Sequence, residues 1–477
     1  MVMGKSVNTQ TSLVFTVSRQ QPEFITPAEP TPYEFKHLSD IDDQAGLRMH
    51  VPGIQFYRST PDMAGVDPAK VIREAVRKAL VPFYPLAGRL REKAGNKLVV
   101  ECTGEGVLFT EADAEVSLEE FSEAQLHPPI PCMEELLYDV PGYDGVLNAP
   151  LLLIQVTRLR CGGFILTHRI NHVMSDGTGL AQFLTAVGEM ARGAQFLSVN
   201  PVWKRELLSA RNPPQVNCVH REYEQIPDIP LGDDLVYKPF FFGSTELAAL
   251  RRHLPPHLKS SSTFEILTAV IWRARTIALR IHPDDEVRVR IYVNARHKFK
   301  NPPLPPGYYG NAIATPNVIS TANNLVRNGL DYALELVKGV KNGVDEEYMK
   351  SLADFMVLNG KPRYTRANTF SVSDVSRLNL DMLDFGWGPP VQGGPARGWL
   401  GAPTPGYGSF YLASKNNKGE RGILVPIYLP YLAMERFEKE IDGFLSDLGL
   451  EHTIPSPRSC VSNGSHLTMI NNGAIYA

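Results

Sequence analysis

The sequence predicts an α/β protein built in two parts, and three observations predict it. Residues 1–197 alternate strand-like with helix-like segments. From 198 to 234 the periodicity fades and Pro201, Pro213, Pro214, Pro227 and Pro230 punctuate a polar stretch. From 235 the alternation resumes. Apolar residues at a period of two mark strands, and apolar residues at i, i+3 and i+4 mark helices. A connector that long is usually functional or joins two domains. The expected division is a first domain 1–197, a crossover connector 198–234, a second domain 235–455, and a Ser-, Asn- and Gly-rich tail 456–477 whose composition predicts mobility.

In the first part, Ala69 to Leu80 is read as a helix that buries Ile72, Ala75, Val76 and Ala79. It stops before Pro82, which lacks the N–H and clashes with the preceding turn. Leu151 to Leu159 is apolar and β-rich, Arg160 to Gly163 is a turn, and Phe164 to His172 is the hairpin partner. On that second strand Phe164, Leu166, His168, Ile170 and His172 share one face, because side chains alternate across a strand. Asp176-Gly-Thr-Gly179 follows, then an amphipathic helix with Leu180, Phe183, Leu184, Val187 and Met190 inward.

The second part is expected to hold a helix through Phe264, Leu267, Val270, Ile271 and Ala274, the strand Val287 to Val293, and a helix through Tyr332, Leu336 and Val340. Near its end come the strand Gly422 to Leu429 and a helix through Met434, Phe437, Ile441, Phe444 and Leu445. No internal repeat is visible.

With 477 residues and 43% hydrophobic content the chain can form two or three cores and enclose a tunnel. Its net charge of −3, from 48 basic and 51 acidic residues, gives no reason to expect nucleic acid or an anionic membrane as partner. Cys102, Cys132, Cys161, Cys218 and Cys460 are odd in number and lack metal-ligand spacing, so a reduced compartment and no metal are expected. Met1 to Gln10 is polar, and the apolar run Leu13 to Val17 is too short for a signal peptide, so the expected location is the cytoplasm. No stretch approaches the roughly 18 apolar residues of a spanning helix. Asn463-Gly-Ser465 is read as a chance glycosylation sequon.

The chemistry centres on His172-Val-Met-Ser-Asp176-Gly, where a strand opens into a loop. An imidazole can take a proton from a hydroxyl near neutral pH and give it to a leaving group. Asp176 has two alternative jobs: to orient the imidazole as the acid of a triad does, or to turn away and hold the loop through an arginine. Spacing does not choose between them. His168, on the same face, is read as a structural histidine. Loops and elbows with nucleotide-binding or serine-nucleophile signatures are absent from the sequence.

More than two hundred residues downstream lies Asp384-Phe-Gly-Trp-Gly388. Taken with His172 to Gly177, and with Tyr84-Pro-Leu-Ala-Gly-Arg-Leu90, Val293-Asn-Ala-Arg296 and Tyr309-Gly-Asn311, it makes the chain resemble the plant BAHD acyltransferases from about Val14 to about Leu450. Ile25 to Tyr33, Leu38-Ser-Asp-Ile-Asp-Asp-Gln44 and Lys97 to Phe109 look most similar to the branch of benzyl alcohol benzoyltransferases and fruit alcohol acyltransferases.

The resemblance implies two chloramphenicol-acetyltransferase-like α/β domains with a solvent channel between them. It implies a monomer that moves an acyl group, benzoyl or acetyl or similar, from acyl-CoA as co-substrate to the hydroxyl of an apolar alcohol, with no permanently bound cofactor. An amine or alkaloid acceptor, giving an amide in the amine case, and a catalytically silent binding relative are the alternatives. His172 would be the general base. Arg296 would pair with Asp176. Asp384, Gly386, Trp387 and Gly388 would be structural, two glycines beside a tryptophan suiting a tight, packed turn.

Ser373-Asp374-Val375 falls where shikimate-acylating relatives carry a Thr-(Ser or Asn)-Trp sequence. Ser373 is read either as an oxyanion donor or as an ordinary strand serine, and Val375, in place of tryptophan, as part of a different acceptor pocket. Lys259, Ser260, Ser262 and Thr263, after Arg251 and Arg252, approach a helix start. They either contact coenzyme A phosphates or form a plain N-cap.

Overall fold

The computed structural model describes residues 13–138, 145–227, 231, 234–252, 254–397, 406–416 and 418–446. The tail, Cys460 and the sequon lie outside the described residues.

In chain order the elements that carry the site are β1 (Val17–Arg19), β2 (His50–Tyr57), α1 (Pro68–Ala79), β3 (Val107–Ala114), β4 (Leu152–Leu159), β5 (Phe164–Asn171) and α2 (Gly177–Ala191). They continue with β6 (Leu235–Phe242), α3 (Thr263–Leu279), β7 (Glu286–Ile291), β8 (Asn317–Thr321), β9 (Thr369–Asp374), β10 (Gln392–Pro395), β11 (Gly408–Lys415), β12 (Arg421–Pro430) and α4 (Tyr431–Ser446).

The first sheet runs β1-β3-β4-β5-β2-β10. β4 and β5 form the expected antiparallel hairpin, with Arg158 opposite Phe164. β5 ends at Asn171 and not at His172, because the chain turns there: the His172 N–H donates to the carbonyl of Met49 (2.8 Å) and the Met174 N–H to that of Asn171 (3.0 Å). α1 is capped by Asp67 and opened by Pro68, and it buries Ile72, Ala75, Val76 and Ala79 as its spacing predicts. α2 lies beside it, with Leu180, Phe183, Leu184 and Val187 buried.

The second sheet runs β6-β12-β11-β9-β7-β8, with β7, β9 and β11 mutually parallel. Phe370, Val372, Tyr411, Val425 and Ile427 face the helices and join one large core. On the other face Phe410, Leu412 and Leu424 gather with Phe241 and Val375. The helix Leu330–Gly343 departs from its predicted face: Ala333, Leu334 and Val337 are fully buried, while Leu336 and Val340 only flank the core. The small Ala333 side chain permits close approach, so the helix seats on that side.

The two halves are interlocked. β10 comes late in the chain, yet it pairs antiparallel with β2 of the first sheet. Leu380, Leu383, Phe385 and Trp387 belong to the first core, and Ile41 belongs to the second.

Candidate active site

His172 sits just past the end of β5 and is 8% exposed. Its carbonyl and the turn that follows it are each held by a side chain. The Nδ2 group of Asn311 donates to its carbonyl oxygen (2.8 Å), and Nη2 of Arg205 donates to the carbonyl of Met174 (2.8 Å). Both donors are anchored by Asp42. Its Oδ1 accepts from Nη1 of Arg205 (2.7 Å), and from the backbone N–H and the Nδ2 group of Asn311 (2.9 Å each). The second oxygen accepts from the N–H and hydroxyl of Ser39. The Arg205 guanidinium also lies over the rings of Trp203 (4.3 Å) and Tyr309 (4.9 Å). Arg205 and Asp42 are 1% and 0% exposed, so this is a buried ion pair; both terminal nitrogens of Arg205 are hydrogen-bonded, while its Nε is left without a partner.

Asp176 caps α2: its Oδ1 accepts from the N–H groups of Thr178 (3.0 Å) and Gly179 (3.1 Å). Arg296, from the loop after β7, meets the same carboxylate in a bidentate pair, Nη1 to Oδ2 at 2.7 Å and Nη2 to Oδ1 at 2.8 Å. The Ala312 N–H adds a bond to Oδ2 (3.0 Å), and Nη2 of Arg296 also reaches the carbonyl of Gly310 (2.7 Å). Of the two jobs open to Asp176, these contacts describe the second, a loop held through an arginine. Burial works to raise its pKa, but the Arg296 charge and hydrogen bonds, with the N–H groups of Ala312 and Gly179, hold the carboxyl below its usual range.

Burial lowers the His172 pKa. Its own backbone carbonyl, Asp176, the Asn311 side chain and Asp42 oppose that shift without cancelling it. The imidazole is therefore neutral near pH 7, the form that accepts a proton. His168 is 2% exposed and packs over Gly53, where a Cβ would collide with the ring. Burial takes its pKa down to about 4.

Ser373 and Val375 lie at the carboxyl end of β9, half-buried, on the face away from the helices. The Ser373 hydroxyl has no hydrogen-bond partner among the described residues. Asp374 between them turns its Oδ1 to the N–H of Ser376 (3.0 Å) and to the Ser376 hydroxyl (2.5 Å). The turn then delivers Leu378 against the start of α2, where a Cβ on Gly177 would stand 2.7 Å from Leu378 Cδ1. This brings the segment after Val375 beside the segment after His172.

Lys259 and Ser260 are exposed. Ser262 caps α3 in a reciprocal box with Glu265, and Lys341 neutralises that glutamate (2.6 Å). The hydrogen bonds at Ser262 are thus those of a plain N-cap.

Asp384 draws its own turn shut, its Oδ1 accepting from the N–H groups of Gly386 (2.7 Å) and Gly388 (2.9 Å). The two glycines take φ of +112° and +76°, conformations that favour glycine. Phe385 and Trp387 are buried edge-on to Tyr57 and Phe164 of the first sheet, with centroids 5.6 and 5.2 Å apart. Among the described residues no cluster of three His, Cys, Asp or Glu could hold a metal, and no helix is long and apolar enough to cross a membrane.

A family model described as the Transferase family matches residues 15–443. The chain is 61% identical over 438 residues to the benzyl alcohol O-benzoyltransferase of Petunia hybrida, covering 91% of this chain and 94% of the relative. The chain belongs to this transferase family, the BAHD acyltransferases. It is an acyltransferase. Alcohol acyl transferase 1 of Malus domestica (allele RGb) is 51% identical over 439 residues, 90% of this chain and 95% of that one. The 13-hydroxylupanine O-tigloyltransferase of Lupinus albus is 50% identical with the same coverage of both.

The fold of this transferase is that of vinorine synthase, with a TM-score of 0.68 at 23% identity over 90% of this chain and 98% of that one. F. sporotrichioides TRI101, solved with coenzyme A and T-2, matches with a TM-score of 0.68 at 17% identity over 87% and 98%. Asp42, Arg205 and the role of Asn311 were not legible as parts of the site. The only local signals were the acidic run Ser39 to Asp43 and Tyr309-Gly-Asn311, neither of which names its partner.

Proposed function

We propose that the protein transfers an acyl group from a coenzyme A thioester to the hydroxyl of an apolar alcohol, releasing an ester and free coenzyme A, with His172 as general base. The observation that carries the reading is a neutral, buried His172 whose carbonyl is held by Asn311 and whose following turn is held at Met174 by Arg205, while its acidic neighbour Asp176 is engaged by Arg296. A base needs its position fixed and its proton-accepting form populated. Benzyl alcohol is the acceptor named for relatives at 61% identity, and each of the relatives named above carries acyl groups to oxygen or to alcohols by its printed name, which favours an ester over an amide.

In this reading the acceptor oxygen attacks the thioester carbonyl as His172 removes its proton. The new C–O bond leaves a tetrahedral oxyanion, to which the unpartnered Ser373 hydroxyl donates. Collapse breaks the C–S bond, and the imidazolium returns the proton to the departing thiolate. A thiol of pKa about 8.5, by analogy with cysteine, leaves readily, so no covalent enzyme intermediate is needed. Asp176 and Arg296 act on the loop and not on the proton. The protein works as a monomer in the cytoplasm, with acyl-CoA as co-substrate and nothing permanently bound.

The test offers benzoyl-CoA and acetyl-CoA against benzyl alcohol, cinnamyl alcohol, hexanol, benzylamine and shikimate, read by free-thiol release and product mass. Thiol release with ester formation from the apolar alcohols is expected. Absence of thiol release with every donor, or amide as the sole product, would overturn the reading.

A further inference from the structure

A cavity of about 430 Å³ opens in the second half of the chain, between the last turns of α3, the start of β9 and the start of α4. Its wall carries, among the described residues, three guanidinium groups, Arg275, Arg366 and Arg436, against one carboxylate, the exposed Asp234. Among the described residues none of the three arginines is in an ion pair.

Arg275 is the unusual member. It is 6% exposed, yet it has only the Gly406 carbonyl (Nη2 to O, 3.3 Å) and the ring of Phe370 (4.8 Å) for company, and its Nε has no partner. Equally buried Arg205 and Arg288 each face a carboxylate, whereas Arg290, 5% exposed, is like Arg275 in having one carbonyl and one ring, but it does not line the cavity. Burial takes the Arg275 pKa down to about 10, with Tyr407 opposing. Arg436 spends its Nε on the carbonyl of Ala278 (2.7 Å), and Arg366 lies over the Tyr407 ring (5.8 Å). A buried charge left unpaired is costly, and a guanidinium fork matches carboxylate and phosphate oxygens two at a time.

The cavity is separate from the site around His172. It lies at the amino end of β9, whereas Ser373 and Val375 lie at the carboxyl end. Along α3, Thr263 and Arg275 are about 18 Å apart at roughly 1.5 Å per residue, so the helix start proposed for coenzyme A contact is also remote. Leu279, Ile281, Pro430 and Leu432 line the cavity as well, so one side is apolar. The volume falls in the lower part of the range for small-molecule pockets, about 300–1,000 Å³.

We propose that this cavity is a second ligand site that takes one small organic oxyanion, a carboxylate or a phosphate monoester with an apolar body. The anion supplies the counter-charge that Arg275 lacks among the described residues and ties α3 to α4.

The test uses the full chain in phosphate- and sulfate-free buffer, titrated calorimetrically and by thermal melt with benzoate, phenyl phosphate, inorganic phosphate and the neutral benzamide. Saturable one-to-one binding of benzoate or phenyl phosphate with a rise in Tm is expected, and it should persist with coenzyme A at saturation. The stronger of the two identifies carboxylate or phosphate monoester as the ligand. Arg275→Gln should weaken binding by about tenfold or more, because a charge-assisted hydrogen bond is worth about a decade or more in affinity. Arg366→Gln, at an exposed position, should weaken it with an unchanged melting curve, so the test survives if Arg275→Gln does not fold. No binding by either organic anion, equal binding of benzamide or of inorganic phosphate, displacement by coenzyme A, or full affinity in Arg366→Gln would each overturn the proposal.

Discussion

Asp176 and Arg296 meet through two parallel hydrogen bonds of 2.7 and 2.8 Å, and three backbone N–H groups take up what the carboxylate has left. Among the described residues this carboxylate makes no hydrogen bond to the His172 imidazole. The pair instead ties the first turn of α2 to the loop after β7, so it joins the two halves next to His172.

Asp176→Asn keeps an oxygen to cap α2 but removes the charge that Arg296 faces. Breaking one side of a buried pair typically costs about 3–5 kcal/mol. A clear fall in Tm and in the urea midpoint is expected, with activity lost in proportion to folded protein. An unchanged melting curve with activity abolished would instead make Asp176 an orienting acid.

Asn311 works through a different pair. Its amide donates to both the His172 carbonyl and Asp42, so it needs to be neutral and a donor. Asn311→Asp would place a second carboxylate against Asp42 in a buried site, where two like charges cannot both stay ionised. Asn311→Asp should therefore melt lower than Asn311→Ala although it is nearer in shape. Equal melting of the two would show that the contact with Asp42 does not matter.

His172→Ala should lower kcat by about 10²–10⁴-fold, the usual worth of a general base, with donor binding nearly normal. Since burial holds the imidazole below its ordinary pKa of about 6.5, the acid limb of kcat/KM in the unmodified enzyme belongs below that value. A base is active when unprotonated, so activity should fall with decreasing pH and be flat just above 6.5. A limb centred above pH 7, or wild-type turnover in the alanine variant, would remove His172 from this role.

His127 and His168 are buried, and burial takes each down to about 4. The unfolded chain protonates these rings near pH 6.5, the folded chain only near 4, so between those values the unfolded state binds more protons and stability rises with pH. Their contribution is fully present above about 6.5 and is lost as the pH falls toward 4, at about 3 kcal/mol each. Urea unfolding at pH 7 and pH 5 should show the loss, and His127→Gln should reduce the difference. Identical unfolding free energies at the two pH values would contradict it.

Local periodicity made much of the fold legible. The hairpin β4–β5 and the buried stripes of α1 and α2 follow from residues near one another in the chain. The site was legible only in part, because its supports are distant pairs. Arg205 sits in the polar, proline-punctuated stretch 198–234, yet it is buried through Asp42, 163 residues away. Asp42 and Asp43 are both fully buried, and the residues next to them in the chain do not signal it. β10 contains Gly393 and Gly394 and carries no strand signal of its own; β2 supplies its pairing. The pairing of Arg296 with Asp176 was legible through resemblance alone, since no periodicity links positions 120 residues apart.

Val375 bears on which acceptor is used. It stands after Ser373 on the face of the second sheet away from the helices and packs among Phe410, Leu412 and Leu424. Its N–H donates to the carbonyl of Tyr411 (3.1 Å), so the backbone is fixed and the side chain alone sets the local volume. Leu378, in the turn that follows, touches the start of α2 at Gly177, which leaves little slack for a larger neighbour. Val375→Trp would fill space in the proposed acceptor pocket. Hydrophobic pockets discriminate weakly by size, but they reject groups whose hydrogen bonds go unmet. In the unmodified enzyme benzyl, cinnamyl and medium-chain alcohols should therefore be used far better than shikimate or quinate, whose hydroxyls would face Phe410 and Leu412. In Val375→Trp, kcat/KM for cinnamyl alcohol should drop before that for short alcohols, with donor KM nearly unchanged. Efficient turnover of shikimate by the unmodified enzyme, or an equal loss for every acceptor in the variant, would take Val375 out of the acceptor pocket.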